Sequence, residues 1–410
     1  MNDIRLLYAD ENGEIFDAPN MLPMGRIGND IVELKRGDFI PLPESADLMF
    51  LPDRYAVGKD ENGEVLKVLG YAVSALLPAG FTRLYLPAFE RDENAKPLPL
   101  YGYTAVALIE EEICVAAIST DESEQWNPLN YNTRDLKNLI KRTKKDLPNN
   151  SIVENLAKCS LEWHCLTAQN LFYRRFEAGL PVSPKCNANC LGCISLQAAE
   201  CCPSPQSRIK TSPSVREMVE VMLYHLDTAP NAMISFGQGC EGDPSLECEK
   251  ISAAILRVRE RTKRGKINMN TNAGFTEGIK KIADAGLDNM RVSIISPTEE
   301  IYKAYYRANY TLDNVKNSIR YAMEKGVYVS LNMLTFPGLN DREEEIEGWI
   351  NFFKEIPVPM IQVRNLNVDP DELLKILPAA KGEMVGTRRF LEILHKNFGK
   401  MQIGSFTHTG

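Results

Sequence analysis

The sequence predicts an α/β protein in which a β-rich N-terminal region precedes a regular alternation of helix and strand. Three observations carry this reading. Short apolar runs broken by Asn-Gly turns and prolines fill residues 1–110. From residue 214 to 366, segments of helical period alternate with short apolar runs, as parallel strands joined by crossover helices require. At the head of that alternation stands one loop, Cys186-Asn187-Ala188-Asn189-Cys190-Leu191-Gly192-Cys193, with the spacing CxxxCxxC.

Length and composition set the frame. A chain of 410 residues exceeds one ordinary core, so two domains are expected. It is 44% hydrophobic and 25% charged, the balance of a soluble globular protein. No apolar run reaches the roughly 18 residues of a membrane span. The opening Met1-Asn2-Asp3-Ile4-Arg5 lacks the basic and apolar regions of a signal peptide. Its ten cysteines are therefore expected to be reduced, cytoplasmic, and metal-binding or buried. With 55 acidic and 47 basic residues the net charge is −8, which argues against nucleic-acid binding through phosphate neutralisation. The densest basic stretches, 141–145 and 257–266, fall in helical patterns, where a solvated face accounts for them.

In chain order, residues 1–130 read as a β-rich or α+β accessory domain. Glu11-Asn12-Gly13 and Glu61-Asn62-Gly63 are placed as hairpin turns. Residues 131–178 read as a helical connector, with Ser151 and Glu154 patterned as a capping box and helix continuing over 163–176. His164 and Cys165 lie in that last segment, where core packing explains them better than a metal site. Residues 179–370 hold the alternation. An extended run at 180–184 is followed by strands at 232–236, 267–270, 289–295, 327–334 and 360–366, making six in all. Residues 371–410 read as a C-terminal helical segment built on an amphipathic helix at 387–397.

Three thiolates within eight residues can ligate one face of a [4Fe–4S] cube and leave one iron open; a zinc site is the alternative. After the second strand comes Gly237-Gln238-Gly239-Cys240-Glu241-Gly242-Asp243-Pro244, either a ligand-contacting turn or simply a strand-to-helix turn opened by Pro244.

Six βα units with CxxxCxxC after the first strand resemble the radical S-adenosylmethionine (radical SAM) superfamily, over about 180–370. The resemblance implies a partial (β/α)6 barrel. Cys186, Cys190 and Cys193 would hold a [4Fe–4S] cluster whose open iron binds S-adenosylmethionine (SAM). Reductive cleavage would then yield methionine and a 5′-deoxyadenosyl radical that abstracts hydrogen from a substrate. The stretch after the second strand resembles the family's Gly-Gly-Glu-Pro motif, with Gly242-Asp243-Pro244 aligning most naturally and Asp243 in place of Glu to meet the SAM amino group; Gly239 and Glu241 of the same turn are further candidate contacts. Asn272 matches a Thr-Asn-Gly strand ending, Ser293 and Asn332 match polar ligand-facing positions, and Gly338 lies in a fifth-strand ending beside adenine. Gln362, Arg364 and Asn365 could face the substrate. The family usually places an aromatic residue before the third cysteine, where this chain has Gly192. A reductant of flavodoxin or ferredoxin type is implied as partner, with a peptide, protein or small metabolite as substrate. A non-enzymatic iron–sulfur or zinc scaffold is the competing function. Cys201, Cys202, Cys240 and Cys248 match no second-cluster spacing.

Overall fold

The fold is seen in a computed structural model that describes residues 4–197 and 204–407; Cys201 and Cys202 lie outside these. Two sheets organise it. The first is a 12-stranded N-terminal sheet whose pairings are all antiparallel. Both expected hairpins form: Ile4–Ala9 pairs with Ile15–Ala18, and Asp47–Lys59 with Val65–Leu76. At each tip an aspartate, Asp10 or Asp60, accepts backbone N–H groups across the turn.

The second sheet has seven parallel strands in sequence order: β1 (Glu177–Gly179), β2 (Met233–Phe236), β3 (Lys266–Thr271), β4 (Asn289–Ile294), β5 (Tyr328–Thr335), β6 (Met360–Asn365) and β7 (Gln402–Gly404). The helices on its path are α1 (Val215–Leu226), α2 (Cys248–Arg259), α3 (Thr276–Asp284), α4 (Glu299–Tyr306), α5 (Leu312–Glu324), α6 (Glu343–Glu355), α7 (Pro370–Ile376) and α8 (Thr387–Asn397). Outward positions are apolar and fully buried beneath them, among them Ile234, Met269, Val292, Leu331 and Val363. Inward positions are polar: Glu177, Ser235, Asn268, Arg291, Asn332 and Gln362. Beyond β7, Thr407 donates to Glu177 on β1 at 3.0 Å, so the ends of the strand order meet and the sheet curls into a partial barrel.

Four expectations shift. The first strand is Glu177–Gly179 rather than 180–184, which already turns toward the cysteines. The segment after 370 contributes β7, parallel to β6, besides its helices. The connector helix Ser151–Glu162 is capped by Asn150, whose side chain accepts from the N–H groups of Ile152 and Val153. The helix expected through 163 begins only at Leu166, because His164 adopts φ +49° and breaks the run. Among the described residues no helix is long and apolar enough to cross a membrane.

The N-terminal sheet docks on the β5–β7 side of the barrel. Arg54 pairs with Asp369 at 3.1 Å, both almost fully buried. Arg26 pairs with Asp371 at 2.9 Å. Asn365 faces this seam, bonding Arg83 N and Phe81 O, so it does not point to the lumen. One continuous apolar core joins the two parts.

Candidate functional site

Gly179 ends β1, and the chain passes through 180–185 into the cysteine loop at the carboxyl end of the strands. Backbone hydrogen bonds hold that loop from two sides. Gly242 N donates to Ser183 O and Asp243 N to Lys185 O, tying it to the turn after β2. Asn189 N and Leu191 N donate to Tyr306 O and Tyr305 O at the end of α4. All three cysteines are free and half-buried. Burial pushes the Cys186 and Cys190 thiols above their ordinary value. At Cys193 the sulfur accepts from Arg208 Nη2 at 3.3 Å, while Arg208 Nε donates to Ser195 Oγ at 3.1 Å.

The turn after β2 is built from its own carboxylates. Glu241 Oε1 accepts from Gly237 N and Gln238 N, and Oε2 from Val182 N and Ser183 N, all between 2.7 and 2.8 Å. Burial pushes its carboxyl up to about 7, against the pull of those N–H groups. Asp243 accepts from Ser245 N and Oγ, from Thr271 Oγ1 and from Asn272 N. Only 4% of each residue is exposed. Both carboxylates are thus committed to protein donors: Glu241 joins β1 to the turn, and Asp243 joins the turn to the end of β3. Asp243 also caps the short helix opened by Pro244, as the strand-to-helix reading requires. Asp243 lies close enough to Cys186 for its charge to push that thiol further up, after burial.

The glycines divide. Gly242 is imposed by backbone approach, since a Cβ there would lie 1.9 Å from Lys185 O. Gly239 meets only side-chain atoms, of Ile194 and Gln206. Gly338, at φ +90°, packs on the N-terminal domain, where a Cβ would lie 2.1 Å from Gly28 N. Its glycine is explained by that seam rather than by a ligand.

Asn272 is brought to the cysteine loop. Its Nδ2 donates to Asn187 Oδ1 at 2.7 Å and lies 3.9 Å from Cys186 Sγ. Ser293 and Asn332 face each other across β4 and β5 in direct register. Asn332 Oδ1 is buried without a partner among the described residues. A cavity of about 420 Å³ is lined by Cys190, Leu191 and Gln197 from the loop, Arg307 and Asp369 from the barrel, and Leu98 from the N-terminal domain. A larger cavity, about 1320 Å³, lies at the amino end beside Phe176, Gly265 and Asp288 and is lined by none of the three cysteines. Of the three cysteines, Cys190 lines the smaller one.

Gly192 has a structural explanation that its sequence neighbours do not reveal. A Cβ there would lie 2.8 Å from the hydroxyl of Tyr305 on α4. The space beside the third cysteine is filled by an aromatic side chain from another element.

Three free thiols in one loop are a donor set that suits an iron–sulfur cluster. Among the described residues no three His, Cys, Asp or Glu side chains converge as ligands of one ion would. A cluster spreads its thiolates over separate irons, so a loop that spaces them suits it. Cys240 is buried beside Cys159, both sulfurs meeting Asn155 Nδ2, and is turned away from the loop.

A 197-residue stretch is 27% identical to an uncharacterized protein of Methanocaldococcus jannaschii, covering 47% of this chain and 60% of that one. A 178-residue stretch is 25% identical to the FeMo cofactor biosynthesis protein NifB of Klebsiella pneumoniae, covering 40% and 37%. The chain thus spans well under two thirds of either relative. Among solved structures, Streptococcus suis SuiB bound to precursor peptide SuiA superposes with TM-score 0.40 at 14% identity, covering 58% of this chain and 51% of that chain. Methylornithine synthase gives 0.38 at 15% identity, covering 65% and 85%. The sequence model of the Radical SAM superfamily matches residues 180–350, from the end of β1 into α6. Residues 180–350 of this chain are a radical SAM superfamily domain.

Proposed function

We propose that this chain is a radical SAM enzyme that cleaves SAM reductively and abstracts hydrogen from a substrate. The observation that carries the reading is the cysteine loop itself: three half-buried thiols at the carboxyl end of a parallel barrel, braced by the turn after β2 and by α4. Cys186, Cys190 and Cys193 would hold a [4Fe–4S] cluster. When bound, such a cluster supplies, at its open iron, the electron that splits SAM into methionine and a 5′-deoxyadenosyl radical.

The chain's own residues position and enclose. Glu241 and Asp243 fix the turn 237–242 against the loop, so Gly239 and Gly242 offer SAM a rigid backbone surface. Asn272 orients Asn187 and the Cys186 side of the loop. Arg208 places a cation and a donor on the Cys193 sulfur, a contact that tunes a cluster's potential. Tyr305 supplies the aromatic packing that Gly192 lacks. Ser293 and Asn332 face the ligand from the barrel wall. The N-terminal domain, 1–130, closes the cavity over Cys190 through Leu98 and excludes water from the reacting centre. A flavodoxin- or ferredoxin-type protein is the reductant, and reduced cysteines with an oxygen-labile cluster suit the cytoplasm.

Anaerobic reconstitution tests this. The expected result is about four irons and four sulfides per chain and release of 5′-deoxyadenosine with SAM and dithionite. Cys190→Ala should lose both while remaining folded. A wild-type protein with a full cluster that releases no 5′-deoxyadenosine would refute the enzyme reading.

A further inference from the structure

The lumen of the barrel holds surplus guanidinium donors: one of its arginines has no direct ion pair among the described residues. Two arginines enter it, Arg291 from β4 and Arg364 from β6. Arg291 is satisfied, since its guanidinium meets Glu177 Oε2 at 2.8 Å and Asn270 Oδ1 at 3.1 Å. Arg364 has one hydrogen bond, to Gln362 Oε1 at 2.8 Å, and no ion pair among the described residues. The carboxylates near enough to act on it are Glu177 and Asp121, and Arg291 repels it. Glu177 is spent on Arg291, Ser235 and Thr407. Asp121 accepts from the backbone of Ser405 and Phe406.

Position gives this surplus a direction. Arg364 is opposite Leu334 on β5, one inward position nearer the cysteine end than Gln362, which is opposite Asn332. Its side chain is half-buried, so it borders open space rather than packed core. A planar fork of donors that borders open space matches a carboxylate or a phosphate.

We propose that Arg364 is the docking point for an oxyanion, a carboxylate or phosphate, on the molecule the radical attacks. The substrate is then an anion that enters the lumen from the cysteine end and anchors on β6. This rests on the radical SAM reading, within which the other source of the same chemistry is the carboxylate of SAM itself.

The test titrates the anaerobically reconstituted full chain with glutarate and with inorganic phosphate, with and without SAM, by calorimetry and melting temperature. The expected result is saturable binding of at least one anion, additive with SAM. Arg364→Gln should weaken it at least tenfold and Arg364→Lys less, with SAM affinity within twofold of wild type. Wild-type protein that binds SAM but neither anion overturns this inference alone. Anions that compete with SAM, together with a tenfold loss of SAM affinity in Arg364→Gln, overturn it by assigning the guanidinium to SAM. Wild-type protein with a full cluster that binds no SAM fails at the reading beneath, whatever the anions do.

Discussion

At the amino end of the barrel, Glu177 and Arg291 close on each other with under a tenth of either side chain exposed, and Ser235, Asn270 and Thr407 complete their bonds. At the carboxyl end, Cys186, Cys190, Cys193, Ser293, Asn332 and Arg364 are all half-buried, and several keep bonding capacity in hand. Both ends are polar and each borders a cavity, but the charged groups at the amino end are paired with each other. Where every buried polar group has a partner the network stabilises a shape; where partners are missing the fold holds groups ready for something that is not protein. The larger cavity lies at the amino end all the same, so volume alone would misplace the chemistry.

The sharpest way to break this contrast is at Glu177. Its carboxyl is buried, which raises its pKa, but the Arg291 guanidinium and its hydrogen bonds outweigh that and hold it below the ordinary value. Glu177→Gln leaves Arg291 buried and uncompensated, and should cost roughly 3–5 kcal/mol of stability. The double change Glu177→Met with Arg291→Met should recover most of that loss. Denaturant unfolding measures both, and iron content at low temperature should stay at the wild-type level. If Glu177→Gln instead emptied the cluster while leaving stability intact, the amino end would belong to the site and the contrast would fail.

A smaller effect is expected at His225 on α1, whose Nε2 donates to Phe176 O just before β1 (2.7 Å). Burial lowers its pKa from 6.5 to about 4, against the raising influence of its backbone bonds and Glu177. The unfolded chain therefore takes up a proton that the folded chain refuses. The stability from keeping it neutral is present above pH 6.5 and is lost as pH falls toward 4. Over that window the loss should be about 3 kcal/mol. Urea midpoints at pH 7 and 4.5 should show a steeper fall in wild type than in His225→Gln. Equal slopes would mean that His225 is protonated in the folded state.

What the sequence could show divides along the range of the interactions. The CxxxCxxC loop and both Asn-Gly hairpins are local patterns that stand where they were expected, while the helix and strand periods place most elements with some ends shifted, as at Glu177–Gly179 and Leu166–Tyr173. Strand β7 has only three residues, Gln402–Gly404, and exists because β6 offers an edge to it. No local period announces it. Glu241 and Asp243 were legible as acidic residues in a Gly-rich turn, but their work is to accept N–H groups from residues 182–183 and 271–272, which only the closed fold brings near. Gly338 was legible as a glycine beside a ligand-side strand ending; its reason lies some three hundred residues earlier in the chain, at Gly28. Sequence reading therefore found the groups and misjudged what several of them touch.

Gly192 offers the finest test, because it joins the local and the distant. Ala at 192 would place a methyl 2.8 Å from the Tyr305 hydroxyl, and Tyr305 is 3% exposed with Tyr306 packed edge-on at 5.0 Å. The ring has little room to retreat, so Gly192→Ala should cost about 1–2 kcal/mol by overpacking. Removing the hydroxyl removes the clash: Tyr305→Phe should restore much of that loss in the Gly192→Ala background while contributing little alone. A double-mutant cycle reads the coupling directly, with an interaction energy of order 1 kcal/mol expected for groups in contact. Carried out on reconstituted protein, the same four variants report on the cysteines, since Leu191 N and Asn189 N are bonded to the backbone of Tyr305 and Tyr306. A strained Gly192→Ala loop should hold iron less tightly, and Tyr305→Phe should return it. Additive effects on both stability and iron retention would show that the glycine and the tyrosine do not share that space, and the aromatic wall beside the third cysteine would have to be sought elsewhere.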